Sequence, residues 1–267
     1  MKLKSINICI IPAAGKGSRW APISGYLPKE MLPLVDRPVI EWVIKEAINS
    51  NCKQIIIVIN KQKNIIKEYL SKHTEINKKV KLDYVYQNQP LGIAHAALLC
   101  QKFIGNQPFA MAFPDNPTIS RKPVLGQLIK AYEKIKNSAN LISFDSFPSE
   151  TAHLYSECLM EERQDGLLKI IHFCPPSNPG QSHHPGNKLR MSGRLIFQSN
   201  VFSTIKGLLE KMPRSEIKDD HILQREFELG HKVIGFKVAG HTYDTGNPIS
   251  YIRANTAFFK KRFTIKY

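Results

Sequence analysis

Apolar positions along this 267-residue chain recur at two alternating periods, and the alternation predicts the architecture. Ile6 to Ile11 is apolar except for Asn7 and stops at Pro12, which reads as a first buried strand. Pro38 suits the first turn of a helix, and Val39, Val43, Ala47 with Ile40, Ile44, Ile48 recur at helical spacing up to Asn51. The β-branched run from Gln54 to Asn60 predicts a strand buried on both faces, and Ile65, Ile66, Tyr69 and Leu70 predict a second amphipathic helix. Leu82 to Tyr86 then reads as a strand, Ile93 to Phe103 as a helix, Phe109 to Phe113 as a strand, Val124 to Ile135 as a helix and Leu141 to Phe144 as a strand. Repeated β–α units of this kind predict a mostly parallel sheet with helices on both faces.

Beyond about residue 150 the pattern changes. Residues 156–173 predict a hairpin around Asp165-Gly166, Pro175 to Asn187 a loop rich in Pro, Gly and Ser, and Leu195 to Phe197 a further strand. This part reads as a mixed-sheet extension capping a crevice, because open α/β sheets bind ligands at the carboxyl ends of their strands. Helices over about 199–211 and 219–229, a strand from Val233 to Lys237 and a helix from about Pro248 complete the chain. The expected organisation is one domain over 1–267, with a first half (1–150), a second half (151–245) and a terminal helix (246–267). Apolar residues at helical spacing in that helix, including Ile252, Phe258 and Phe259, suit either self-association or packing on its own core.

Composition narrows the chemistry. The net charge of +16 admits nucleic acid, anionic membrane or acidic small molecules as partners. The lysines are dispersed and no aromatic-interleaved basic motif occurs, so nucleic acid is the weaker reading. Five cysteines without a CxxC pair suit free thiols in a reducing compartment, and no stretch reaches membrane-spanning length, so a cytoplasmic location is expected. The histidines form no HExxH, and His183-His184 in its loop reads as an exposed turn.

The first strand runs into IPAAGKGSRW. A phosphate loop of the Gly-x4-Gly-Lys-Ser/Thr kind would need glycine at Ile10 and Ser or Thr at Gly17, and a dinucleotide fingerprint would need glycine at Trp20. Neither fits. What remains is a loop of small residues, Ala13, Ala14, Gly15 and Gly17, through which main-chain N–H groups can approach a base or phosphate, with Lys16 and Arg19 supplying charge. Eight residues after Arg19 stands Pro28-Lys29-Glu30, opening PKEMLPLVD.

That pairing resembles the sugar-1-phosphate nucleotidyltransferases, and PKEMLPLVD looks like their UTP:glucose-1-phosphate uridylyltransferase branch. YQNQPLGIAHAAL (86–98), PFAMAFPDN (108–116), SGRLIF (192–197), SEIKDDHIL (215–223) and YDTGNPISYIRAN (243–255) follow in the same order, so the resemblance covers nearly the whole chain. It implies a Rossmann-like α/β fold with a mostly parallel mixed central sheet flanked by helices. It places a nucleotide, UTP, on Ala13, Ala14, Gly15, Gly17, Glu30, Gln87 and Gly92. It gives Arg19 and Lys29 the reacting phosphates, and Asp115 and Asp244 a Mg²⁺ ion. The implied reaction is attack of an acceptor phosphate oxygen on the α-phosphorus with release of pyrophosphate, carried by positioning and charge neutralisation.

On the acceptor side the resemblance breaks down. Where the family carries Val-Glu-Lys-Pro, this chain reads His172-Phe173-Cys174-Pro175; the family's paired aspartates become Asp115-Asn116 and its Tyr-Gly becomes Tyr155-Ser156, while Gly193 still fits. The implied enzyme therefore takes a phosphorylated sugar or sugar-like acceptor other than plain glucose 1-phosphate. The alternative is a catalytically weak, nucleotide-binding regulatory homologue.

Overall fold

In the computed structural model, residues 5–135, 139–146, 157–163, 166–174 and 189–263 are described. The first half contains β1 (Ile8–Pro12), β2 (Pro33–Leu34), β3 (Arg37–Pro38), α1 (Val39–Asn49), β4 (Gln54–Ile59), α2 (Asn64–Ser71), α3 (Thr74–Lys79) and β5 (Lys81–Tyr86). It continues through α4 (Gly92–Leu99), α5 (Gln101–Ile104), β6 (Phe109–Ala112), β7 (Thr118–Ile119), α6 (Val124–Lys134) and β8 (Asn140–Ser146). The rest comprises β9 (Glu157–Glu162), β10 (Leu167–Cys174), β11 (Leu189–Phe197), α7 (Val201–Lys211), α8 (Asp219–Glu228), β12 (Val233–Lys237), β13 (His241–Thr242) and α9 (Pro248–Arg262).

Nine strands form one sheet in the order β5-β4-β1-β6-β11-β8-β12-β10-β9. Neighbours from β5 to β6 are parallel; β11 and β10 run against the rest. The expected mostly parallel mixed sheet is therefore present, with its antiparallel pairings confined to the second half. Period-two burial explains the layering. Ile8, Ile10, Ile56, Val58 and Met111 face α4, α7 and α8. Cys9, Ile11, Ile55, Ile57 and Ala110 face α1, α2 and α6 on the other side.

Some element bounds differ from expectation. The strand expected at Leu195–Phe197 begins at Leu189, because Arg190 and Ser192 are buried on side-chain partners and its first half does not read as apolar. The helix expected over Ile93–Phe103 is divided at Cys100 into α4 and α5. The hairpin pairs antiparallel as β9 and β10, while Asp165, the loop at 175–187, Tyr155 and Ser156 lie outside the described residues. α9 packs on its own core through Ala254 and Phe258, which join Trp20, Leu34 and Val39, and it leaves Ile249, Ile252 and Phe259 exposed. No helix among the described residues is long and apolar enough to cross a membrane. Cys9, Cys52, Cys100 and Cys158 are buried and in no disulfide among the described residues.

Candidate active site

The carboxyl ends of β1, β4 and β6 open on a cluster of charges supplied by four loops. β1 continues into Ala13, whose N–H donates to the Val58 carbonyl 2.7 Å away, so the loop starts as an extension of the ladder. Ala13 and Ala14 bury their methyl groups on opposite faces of the sheet. The Asn60 amide donates to the Ala14 carbonyl at 2.9 Å, while its own oxygen is buried without a partner among the described residues. The two glycines answer different needs. Gly17 has φ +68, a left-handed conformation that leads into the turn carrying Arg19. At Gly15 an added Cβ would meet nothing within 4 Å, so no protein contact demands glycine there.

Lys29 and Glu30 sit in a single 3₁₀ turn, Lys29–Met31, and their side chains find different partners. Lys29 Nζ lies 2.5 Å from Asp115 Oδ2. Burial would lower the lysine's pKa, but Asp115 and Glu30 outweigh it and hold it above the usual value. Burial would raise Asp115, and the charge and hydrogen bond of Lys29 hold it below the usual carboxylate range instead. Glu30, only 1% exposed, receives the Lys63 ammonium on both oxygens at 2.7 and 2.9 Å. Burial pushes Lys63 down despite that partner. Glu30, expected beside the base, is thus engaged with a lysine that sequence reasoning missed; a lysine four residues past β4 carries no local signal.

Asp244 lies between β13 and α9, with Oδ1 accepting from the Gly246 N–H at 2.6 Å. A Cβ on Gly246 would sit 2.6 Å from Arg19 Nη2 and 2.7 Å from Asp244 Oδ1, so guanidinium and carboxylate converge on this glycine. Burial, and then the charge of Asp115, raise the Asp244 pKa. Arg19, Lys29, Asp115 and Asp244 therefore form one group. Three main-chain contacts tie their loops together: Trp20 Nε1 donates to the Thr245 carbonyl at 3.0 Å, and the Thr245 N–H and hydroxyl donate to the Asp115 carbonyl at 2.8 and 2.9 Å. Trp20 and Thr245 were not singled out in the sequence, because their contribution is made through tertiary contacts.

The donor set suits a hard divalent cation, since two carboxylates lie close together and one has its pKa raised by burial and then by the other's charge. No group of three or more His, Cys, Asp or Glu that could hold a metal occurs among the described residues, so phosphate oxygens or water would complete the coordination.

Gln87 follows β5, is 6% exposed, and donates through Nε2 to the Gly92 carbonyl at 2.9 Å, with His95 Nδ1 at 3.1 Å. Gly92 has φ +83, and a Cβ there would lie 2.3 Å from the Ile217 carbonyl oxygen, so close backbone packing already accounts for this glycine. On the other side, Gly193 has φ +70, and a Cβ added there would lie 2.7 Å from the Asn116 side-chain amide. In the amide orientation its neighbours satisfy, Asn116 donates to Asp115 Oδ1 at 3.1 Å. Phe173, assigned to the acceptor side by the resemblance, is 6% exposed and lies edge-on to Phe227 of α8 with ring centroids 6.0 Å apart. Apolar packing under α8 draws it inward. Cys174 ends β10, and its side chain lies outside the described structure.

Beneath Asp115 lies a buried clamp. Arg194 is fully buried and forks onto Glu46, Nε to Oε1 at 3.0 Å and Nη2 to Oε2 at 2.9 Å; Nη2 also donates to the Asn116 carbonyl at 2.8 Å. Glu46 further accepts from the Thr118 hydroxyl and the Leu125 N–H. Burial would raise Glu46, but Arg194 and these donors hold it below the usual range. The segment just after Asp115 is thereby fixed to α1, α6 and β11.

The nucleotidyl transferase family model matches residues 8–261. A UTP–glucose-1-phosphate uridylyltransferase of Bacillus subtilis is 30% identical over 277 residues, covering 96% of this chain and 92% of that protein. One from Staphylococcus epidermidis is 28% identical, covering 97% and 94%. A crystal structure of UDP-glucose pyrophosphorylase complexed with UDP-glucose superposes with a TM-score of 0.83 at 28% identity, over 96% of this chain and 100% of the other. The family match and the shared fold place the chain in the nucleotidyl transferase family, as a nucleotidyltransferase resembling the UDP-glucose pyrophosphorylases.

Proposed function

We propose that the protein transfers UMP from UTP, with Mg²⁺, to a phosphorylated sugar or sugar-like acceptor and releases pyrophosphate. The observation that carries this reading is the convergence of Arg19, Lys29, Asp115 and Asp244 at the carboxyl ends of β1 and β6, beside an open Gly15. The Gly15 main chain lets phosphates or a base approach where a larger residue would obstruct. Gln87, already oriented by Gly92 and His95, is assigned the pyrimidine edge, since its amide can donate and accept. Arg19 offers a planar fork to phosphate oxygens and Lys29 a point charge. Asp115 and Asp244 would hold the ion, which neutralises charge on the phosphates when bound. Glu30 acts on this site through Lys63, keeping a second ammonium beside Lys29.

The acceptor in this proposal is not plain glucose 1-phosphate. Phe173 and Cys174 stand where the family has a carboxylate and an ammonium, and Phe173 is directed into the core, so neither position offers its family partner to sugar hydroxyls or to the acceptor phosphate. Two or three unmade buried hydrogen bonds, at about 1–3 kcal/mol each, would lower turnover by several orders of magnitude. A second copy of the chain is the partner assigned to the exposed Ile249, Ile252 and Phe259 of α9, and a monomeric mass in solution would remove that assignment.

The test is calorimetric titration of the four nucleoside triphosphates followed by pyrophosphate release over a panel of phosphorylated acceptors. UTP binding with turnover of a modified sugar or cyclitol phosphate is expected. Robust turnover of glucose 1-phosphate refutes the altered acceptor, absence of any triphosphate binding refutes the whole reading, and UTP binding without turnover of any acceptor assigns a regulatory role.

A further inference from the structure

The sheet face that packs α1 and α6 is not covered along its whole width. Beyond α6, where β12 and β10 continue the sheet, Leu167, Ile234 and Phe236 stay partly exposed. They floor an open cleft of about 1320 Å³, whose walls are the end of α6 and the segments at 119–122 and 239–240.

Its charge is one-sided. Among the described residues, eight basic ones line the cleft and no acidic one does. With 38 basic and 22 acidic residues in the chain, eight charged positions taken without bias would include about three acids. Arg121, Lys122, Lys130, Lys134 and Lys232 make no ion pair with an acidic residue among the described residues, whereas Lys169 at the margin reaches Glu161 at 3.5 Å. A basic wall above an apolar floor lies apart from the Arg19–Lys29–Asp115–Asp244 group, and the nucleotide reading leaves it unused.

We propose that this cleft is a docking site for an acidic amphipathic helix of a partner protein. Charge complementarity selects the occupant. A second copy of the chain, at +16, would bring like charge to the wall. Nucleic acid would set its phosphates against the lysines but has no use for an aliphatic floor with a single aromatic ring, Phe236. A bilayer surface is flat where the cleft is concave. A helix about 10 Å across fills such a volume with about three turns, laying apolar residues at i, i+3, i+4 and i+7 on the floor and carboxylates against the lysines.

The site is also mechanically placed. β7, at the cleft margin, pairs with β13 through His241↔Ile119 and Thr242↔Thr118. Asp115 precedes this pair and Asp244 follows it, so both carboxylate loops leave directly from the cleft wall. A docked helix acts on the spacing of Asp115 and Asp244 and hence on turnover.

Fluorescence anisotropy with a labelled 18-residue helix, leucines on one face and glutamates flanking them, tests this on the full chain. The controls are a scrambled peptide of equal composition, a duplex oligonucleotide and phosphatidylglycerol vesicles. The ordered helix is expected to bind at least tenfold more tightly than the scrambled one, to weaken with salt, and to lose at least tenfold with Lys130→Glu/Lys134→Glu, two exposed changes on α6 outside the nucleotide cluster. Equal binding of both peptides, or no effect of the charge reversal, overturns the proposal. So does tighter binding of the oligonucleotide or the vesicles, each of which would assign the cleft to that partner instead. UTP titration of the double variant gives a separate readout of the nucleotide site, expected unchanged.

Discussion

The two halves of the sheet handle buried charge in opposite ways. In the parallel half, β5-β4-β1-β6, the charged groups stand at strand ends, close together, and two of them are incompletely matched: Asp244 is pushed up and Arg19 remains exposed, while Lys63 is enclosed on Glu30. In the mixed half, Arg194 with Glu46 and Arg190 with Asp145 are enclosed and well supplied with hydrogen bonds. Unmatched charge at the edge of a crevice is available to a ligand; matched charge in the interior holds loops in place. The difference separates groups that act on substrate from groups that position them.

The strongest way to break this comparison is at the clamp. Arg194→Met leaves Glu46 buried without its cation and is expected to cost about 3–5 kcal/mol in urea unfolding. Glu46→Leu/Arg194→Met should recover much of that stability. If the clamp positions Asn116 and Asp115, the double variant remains slow in kcat; full activity would make the pair purely structural. Next in size, Lys29→Met should lower kcat by about 10²–10³ while shifting Tm little, because the lysine lies at the crevice and not in the core. A melting shift as large as that of Arg194→Met would erase the distinction between the halves.

A pH profile sharpens it further. The Asp244 carboxyl has its pKa raised in the ion-free site, so the acid limb of kcat/KM should lie above that of an ordinary aspartate, and Asp244→Asn should abolish turnover at every pH. Asp219, pushed up to about 7 by burial and then by Asp220, gives the smallest effect. A carboxyl whose pKa is higher folded than unfolded disfavours the folded state once pH exceeds the unfolded value, and more so up to the folded one. Asp219→Asn should therefore raise Tm more at pH 8 than at pH 5, as differential scanning calorimetry would read.

Much of the first half was legible because buried strands and amphipathic helices leave the periods that patterning detects. The Gln54–Ile59 run and α1 fall within a residue or two of their expected bounds. Legibility fails where burial is polar. Leu189 to Ser192 does not look like a core strand until Asp145 and Ser143 are known to face Arg190 and Ser192. The same limit applies to the site. Gly15, Arg19, Lys29 and Asp115 stand in short ordered motifs, whereas Lys63, Glu46 and Thr245 join them only through folding. The sequence sets Phe173 where the family carries a carboxylate, but nothing in it shows that the ring packs against Phe227.

The empty space beside Gly15 has a consequence for how variants of this protein would be noticed. An alanine there meets no neighbour and is not forced into a left-handed backbone, so Gly15→Ala should melt, express and resist proteolysis as the parent does. Quality control in a cell inspects folding and would pass such a chain unaltered. If the nucleotide approaches there, abundance would be normal while flux collapses, and screens that score protein level would be blind to the loss.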